Sequence, residues 1–227
     1  MPTEKTCLDL FCGLGGFSAA FEDADQWDVV TVDIEERFDP DIQADVMELR
    51  PDDLPNADVV LASPPCDVFS LANTRDRYWD DVHPVPTDEK SREHVALVFH
   101  AVGLIRALAP DYWFLENPRG RLRWFLDEPQ ATVTYCQYGE DYQKPTDLWG
   151  AHPPGMTYRA CSPGEPCHDS VAREDDHSGV LANSMRDPAK RAKVPYELSE
   201  AVLEAVEGRQ EQQTLTAVAT DGDESHK

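Results

Sequence analysis

The ten residues DLFCGLGGFS, positions 9–18, join a strand-like run to a helix-like one, and the reading of this junction decides the fold. Thr6 to Phe11 is a short strand candidate, GLGG supplies a sharp turn, and Phe17 to Phe21 opens an apolar-periodic helix. Glycines at such a junction let a ligand approach the backbone closely. Val29 to Val32 forms the next strand and ends in Asp33, an acid about 20 positions after the loop that can accept hydrogen bonds from ribose hydroxyls. GLGG is not GxGxxG, so a dinucleotide is disfavoured and an adenosyl cofactor suits the pattern. A tight turn followed by a surface acid is the plain structural alternative.

Outward from this junction, strand signals alternate with helical ones. Val59 to Ala62 is a third strand, running into SPPC. Between Arg92 and Leu108 the residues Val95, Val98, Phe99, Val102 and Ile105 recur at helical spacing and Pro110 stops the run. Tyr112 to Leu115 runs into ENPRG, and Thr132 to Tyr135 into CQYG. Such alternation predicts an α/β chain with an open, mostly parallel sheet flanked by helices, its ligands at the carboxyl ends of the strands. From Ala151 to Lys193 the periodicity gives way to Pro, Gly, Cys and His, which predicts a small irregular insert. Val194 to Val206 is helical again, with Pro195 near its start. The expected division is a core over 1–150, an insert over 151–193, a helix completing the core over 194–207, and a flexible polar tail over 208–227.

Two further motifs carry chemistry. In ASPPCDVFS, residues 62–70, Pro64 and Pro65 stiffen the loop and hold the Cys66 thiol in one place. A positioned thiol is a candidate nucleophile once its proton is removed. In ENPRG, residues 116–120, Glu116 and Asn117 end a buried strand. Desolvation there should raise the carboxyl pKa and let Glu116 act as a proton donor.

In this order and at these separations the three motifs resemble the DNA cytosine-5 methyltransferase family. DLFCGLGGFS is similar to its cofactor loop, ASPPCDVFS to its PPC nucleophile loop and ENPRG to its Glu-Asn motif. YGEDYQKPTD from Tyr138 resembles the later motif that supports the cytosine and the DNA backbone, and VPYELSEAV at 194–202 resembles the helix that completes the cofactor pocket.

The resemblance implies a Rossmann-like S-adenosylmethionine-dependent methyltransferase that methylates carbon 5 of cytosine in double-stranded DNA. Cys66 would add to carbon 6, Glu116 would protonate or hydrogen-bond N3, and Asn117 would hold the end of the Glu116 strand. It also implies that Phe11, Gly13 and Gly16 line S-adenosylmethionine, that Asp33 meets the ribose and that Asp45 with Val46 meets the adenine. Asp9, Gly15, Ile34 and Pro64 would complete that site. Ser70, Arg119, Arg121, Gln143 and Lys144 would contact DNA.

The chain departs from the family pattern at several positions. Proline replaces the usual valine of the Glu-Asn motif, Asp67 stands where Gln is usual, and Cys12 replaces a small residue. Pro145 and Asp147 occupy the places of two arginines. The segment that reads the target sequence is reduced to the insert, so recognition is expected to be short, relaxed or supplied by a separate specificity subunit.

Composition bears on the partner. With 44 acidic against 20 basic residues the formal charge is −24 over 227 residues, which alone argues against nucleic acid. Adaptation to high salt reconciles the two, because salt screens self-repulsion within a few ångströms. Arg119, Arg121 and Arg123 alternate after ENPRG and could face phosphate. No apolar run reaches the roughly 18 residues of a membrane span and MPTEKT lacks the features of a signal peptide, so a monomeric cytoplasmic protein with reduced thiols is expected. Cys161, Cys167 and His168 form C-x5-C-H, with His152 and His177 nearby. The spacing fits no standard zinc pairing, so no metal is expected and ordinary loop thiols are the reading. An amino-group methyltransferase is disfavoured because Cys66 stands where an aromatic residue would stack on the base. A non-catalytic subunit of the same fold is disfavoured by the presence of both Cys66 and Glu116.

Overall fold

The computed structural model describes residues 5–71, 78–80, 85–162, 165–167 and 188–221. Seven strands form a single sheet: β1 (Lys5–Leu10), β2 (Trp27–Asp33), β3 (Ile42–Gln43), β4 (Val59–Ala62), β5 (Tyr112–Pro118), β6 (Ala131–Thr134) and β7 (Pro145–Ala151). Their order is β3-β2-β1-β4-β5-β7-β6. The first five pair in parallel, and β7 lies antiparallel to both β5 and β6. The chain reverses its winding between β1 and β4, which opens a crevice beyond the carboxyl ends of these strands. This is the expected Rossmann-like, mostly parallel architecture.

The central strands are buried on both faces, and their side chains divide by alternation. Val59 and Leu61 of β4 join one core with Cys7, Phe17, Phe21 and Phe114. Val60 and Ala62 join the other with Leu8, Leu10, Val98 and Ile105. A fully buried side chain of this kind contributes about 1.5–3 kcal/mol, so a one-residue slip of β4 would exchange its two faces.

Helix α2 (Glu89–Leu108) covers the second face. It begins three residues before the periodic run because Asp88 caps it, accepting from the Ser91 amide at 2.8 Å. It ends at Ala109, which adopts a left-handed conformation ahead of Pro110. The first face carries α1 (Ala19–Glu22), a single turn, together with α4 (Tyr196–Asp221), while α3 (Pro188–Ala192) lies just upstream. Leu198 and Val202 of α4 are fully buried, as their spacing predicts.

One expectation is corrected, and two strands lay outside the sequence reading. Helix α4 does not stop near residue 207 but runs through the polar stretch to Asp221, leaving residues 222–227 outside the described residues. Strand β7 escaped the pattern because PTDLWGA begins with proline and buries Asp147 and Thr146. The two-residue β3 is too short to carry a period.

Candidate active site at the carboxyl ends of the strands

The loop after β1 is held in an unusual backbone course. Phe11, Gly13 and Gly15 have φ of 61°, 52° and 64°, the left-handed region, which costs a non-glycine residue such as Phe11 roughly 1 kcal/mol. The course is fixed by Asp33 at the end of β2. Its Oδ2 accepts from the Gly13 amide at 3.0 Å and its Oδ1 from the Glu35 amide at 2.9 Å. Beside Gly13 the space is open, with nothing nearer to an added Cβ than the Phe11 carbonyl at 4.0 Å. Ile34, 60% exposed, and Met47, 43% exposed, present apolar surface from the loops after β2 and β3. An open glycine, a carboxylate and exposed apolar side chains fit the ribose and adenine of an adenosyl cofactor. Asp45 caps the turn Val46–Glu48 through the Met47 amide, and the Val46 side chain itself is buried.

Two residues expected at the cofactor also support the loop. Asp9 is wholly enclosed and its Oδ2 accepts from Ser18 Oγ at 2.7 Å, tying β1 to the end of the loop. Burial pushes its carboxyl up to about 7, against the lowering effect of the Ser18 hydrogen bond. Gly16 faces the C-terminal segment: a Cβ there would lie 2.4 Å from the Val194 carbonyl oxygen.

The loops after β4 and β5 come together because Ala62 and Leu115 are register partners in neighbouring parallel strands. Asn117 fastens them. It is fully buried, and its Nδ2 donates to the Pro64 carbonyl at 3.0 Å. Asn117 therefore holds the nucleophile loop against the Glu116 strand, which extends its expected task of steadying Glu116 alone. Beyond Cys66 the chain makes a helical turn, with the amides of Phe69 and Ser70 donating to the Cys66 carbonyl. Cys66 as a residue is part-exposed, at the boundary between the core and the crevice. Burial is the main influence that pushes its thiol up. The Lys144 ammonium acts the other way, and the nearby charges of Glu116 and Asp67 add to the rise.

Glu116 is 3% exposed and does not stand alone. Its Oε1 accepts from the Tyr135 hydroxyl at 2.9 Å and lies 3.6 Å from Lys144 Nζ. Lys144 Nζ also donates to the Tyr135 oxygen at 3.2 Å and sits over its ring. Lys144, expected on DNA, is thus a wall of the pocket. Neither it nor Tyr135 could be assigned from the sequence, because both reach Glu116 across the antiparallel half of the sheet. A Lys two residues before the buried Thr146 and Asp147 was the only available hint.

Of the expected DNA contacts, Arg119 is exposed. Arg121 donates to the Ser70 carbonyl at 3.3 Å, and Ser70 forms an isolated bridge with Gly120. Gln143 turns away to donate to Cys161 Sγ at 3.1 Å. Arg123 is likewise taken: it grips the fully buried Asp147 with two bonds of 2.6 Å and donates to Thr132. Asp147, at an expected arginine position, is therefore the buried anchor of that arginine. Lys90 pairs with Asp67, the residue that replaces the usual Gln, and His94 Nδ1 lies 3.3 Å from the same carboxylate. Cys161 and Cys167 meet at Cys136, a cysteine the sequence reading passed over. His168 and His177 lie outside the described residues, while His152 stacks on Phe114 and contacts the Tyr158 hydroxyl.

Comparison with known proteins agrees with this geometry. The model of the C-5 cytosine-specific DNA methylase family matches residues 5–123. The chain is 32% identical over 170 residues to the Frog virus 3 protein named "Probable DNA (cytosine-5)-methyltransferase", covering 70% of this chain and 76% of that one. It is 26% identical over 125 residues to the type II methyltransferase M.BsuFI of Bacillus subtilis, covering 52% and 28%. With M.HhaI of Haemophilus parahaemolyticus it shares 27% over 118 residues, covering 48% and 32%. The chain thus spans three quarters of the viral relative and about a third or less of these two bacterial ones.

Proposed function

This chain belongs to the C-5 cytosine-specific DNA methylase family, and from that premise we propose that it methylates carbon 5 of cytosine in DNA through a covalent adduct of Cys66 at carbon 6. The observation that carries the mechanism is the Asn117 to Pro64 hydrogen bond, which binds the nucleophile loop and the Glu116 strand into one unit.

A duplex hides both faces of its bases, so the target cytosine must leave the stack, at a cost of a few kcal/mol. Cys66 Sγ, its proton given up to water, then bonds to carbon 6, and the electron pair displaced from the 5,6 double bond moves toward N3. Glu116 supports that shift by a hydrogen bond or proton at N3, while Tyr135 and Lys144 hold its Oε1 in place. S-adenosylmethionine, when bound, supplies the electrophilic methyl group that carbon 5 takes. Loss of the carbon 5 proton restores the double bond and expels the Cys66 thiolate.

Because burial pushes the Cys66 thiol up, it rests protonated near neutral pH. The Lys144 charge favours its ionised form at the moment of attack.

The residues fit the cofactor. Gly13, Gly15, Asp33, Ile34, Asp45 and Val46 would hold the adenosyl part, with Phe11 and Pro64 bounding the pocket and Asp9 and Gly16 shaping its loop. Arg119 and Arg121, next to Ser70, are proposed to meet the phosphates of double-stranded DNA. Lys144 would serve the pocket, while Gln143 braces Cys161 behind it. The short insert favours a monomer with limited reading of sequence, or one that works beside a specificity subunit. A nucleophilic thiol must stay reduced, which favours a cytoplasmic setting. The charge of −24 favours a high-salt interior: unfolding in multimolar KCl is expected at higher temperature than in dilute buffer, and the reverse order would exclude it.

The decisive experiment incubates the protein with duplex DNA and methyl-labelled S-adenosylmethionine in high salt, beside Cys66→Ala. Label on cytosine carbon 5, lost in the variant, is expected. Label on an exocyclic amine, or transfer that survives the substitution, refutes the mechanism.

A further inference from the structure

Three cysteines far apart in sequence meet beyond the outer wall of the pocket. Cys136 lies in the turn Tyr135–Tyr138 that follows β6, and Cys161 and Cys167 come from the segment after β7. Their sulfurs all lie within 4.8 Å of one another. Cys136 Sγ is 3.2 Å from Cys161 Sγ and 3.7 Å from Cys167 Sγ. Tetrahedral zinc with bonds of about 2.3 Å to sulfur sets its thiolates about 3.8 Å apart, so the triangle is close to the size of one face of such a site.

The cluster is also built rather than accidental. The Cys161 amide donates to Thr134 Oγ1 at 2.8 Å, and the Cys161 sulfur accepts from Gln143 Nε2 at 3.1 Å. Cys136 is buried.

We propose that Cys136, Cys161 and Cys167 bind one zinc ion, which clamps the start of the insert to the turn that carries Tyr135. Three soft thiolates in a tetrahedral arrangement select zinc over the hard cations magnesium and calcium.

The fourth position is not filled by a Cys, His, Asp or Glu among the described residues. His168, next to Cys167 in sequence, lies outside them. The clamp would be structural. Its sulfur ligand Cys136 adjoins Tyr135, the residue hydrogen-bonded to Glu116, so the metal would fix the insert at the edge of the active site without touching the substrate base.

The test uses the full chain, purified under reductant after expression with added zinc. Elemental analysis is expected to give one zinc per chain. Replacement by cobalt(II) is expected to give the charge-transfer and d–d absorption of a tetrahedral thiolate site. Cys136→Ser and Cys161→Ser should each lose the metal, and Cys66→Ser should keep it. The cobalt spectrum of the unsubstituted protein decides the matter even if a variant fails to fold. Metal-free protein with all its thiols titratable overturns the proposal, as does a Cys136–Cys161 disulfide that persists with zinc and reductant present. Copper or an iron–sulfur cluster in the site also overturns it. Metal content is read independently of methyl transfer, so this result and the test of Cys66 can fail separately.

Discussion

The loops that leave the parallel strands hold one another through backbone groups, whereas the wall built by antiparallel β6 and β7 is held through charged side chains. In the first half, Asp33 accepts the Gly13 amide, and Asn117 donates to the Pro64 carbonyl. In the second, Lys144 faces Glu116, and Arg123 grips the buried Asp147. Anchoring on a backbone group fixes position without requiring a second charged side chain, which suits a cofactor loop and a nucleophile. Side-chain anchoring brings charge to the pocket at the cost of desolvating it.

Substitutions on either side should expose this difference. The largest effect is expected from Asn117→Ala, which frees the nucleophile loop. A misplacement of about 1 Å costs roughly 100-fold in rate, so kcat should fall by about that factor while the affinity for S-adenosylmethionine holds. Equal losses in both would mark Asn117 as merely structural. Next comes Arg123→Ala, which strands the Asp147 carboxylate in the interior. The expected loss of stability in denaturant unfolding is about 2–3 kcal/mol, below the roughly 3–5 of a fully enclosed pair because Arg123 is partly exposed. A change near zero would show that Asp147 finds another donor.

The smallest effect concerns pH. Activity should rise with pH as the elevated Cys66 thiol ionises, and Lys144 is the influence that lowers it. Lys144→Gln should therefore move the rising limb of the kcat/KM profile to higher pH. A limb that stays in place or moves down would remove Lys144 from the thiol's environment.

The same contrast explains what the sequence could disclose. In the parallel half, each functional residue sits at a strand end inside a short motif. There the positions of Cys66, Glu116, Asp33 and the glycines could be read directly, along with the strands that carry them. Across β6 and β7 the partners meet through pairing that no local pattern encodes. Lys144 and Gln143 thus looked like DNA contacts, Asp147 like a missing arginine, and Cys136 went unnoticed 25 residues from Cys161. Asp9 and Gly16 also hold the loop itself, a task the motif could not disclose because it records a loop's shape and not the contacts of each atom. The extension of α4 past residue 207 was hidden because GRQEQQ, residues 208–213, offers no apolar period.

Contacts between residues 16–20 and 194–199 link distant parts of the chain in time as well as in space. Ser199 of α4 donates to the Phe17 carbonyl at 2.6 Å and accepts from the Ala20 amide, while Val194 lies across Gly16. The glycine loop is synthesised about 180 residues before these partners, and at roughly 5–20 residues per second it waits on the order of ten seconds for them. A nascent chain should therefore acquire its capacity for the cofactor only after residues 194–199 have been made, and a message cut short before codon 194 would yield a product with both chemical motifs and an unsupported cradle.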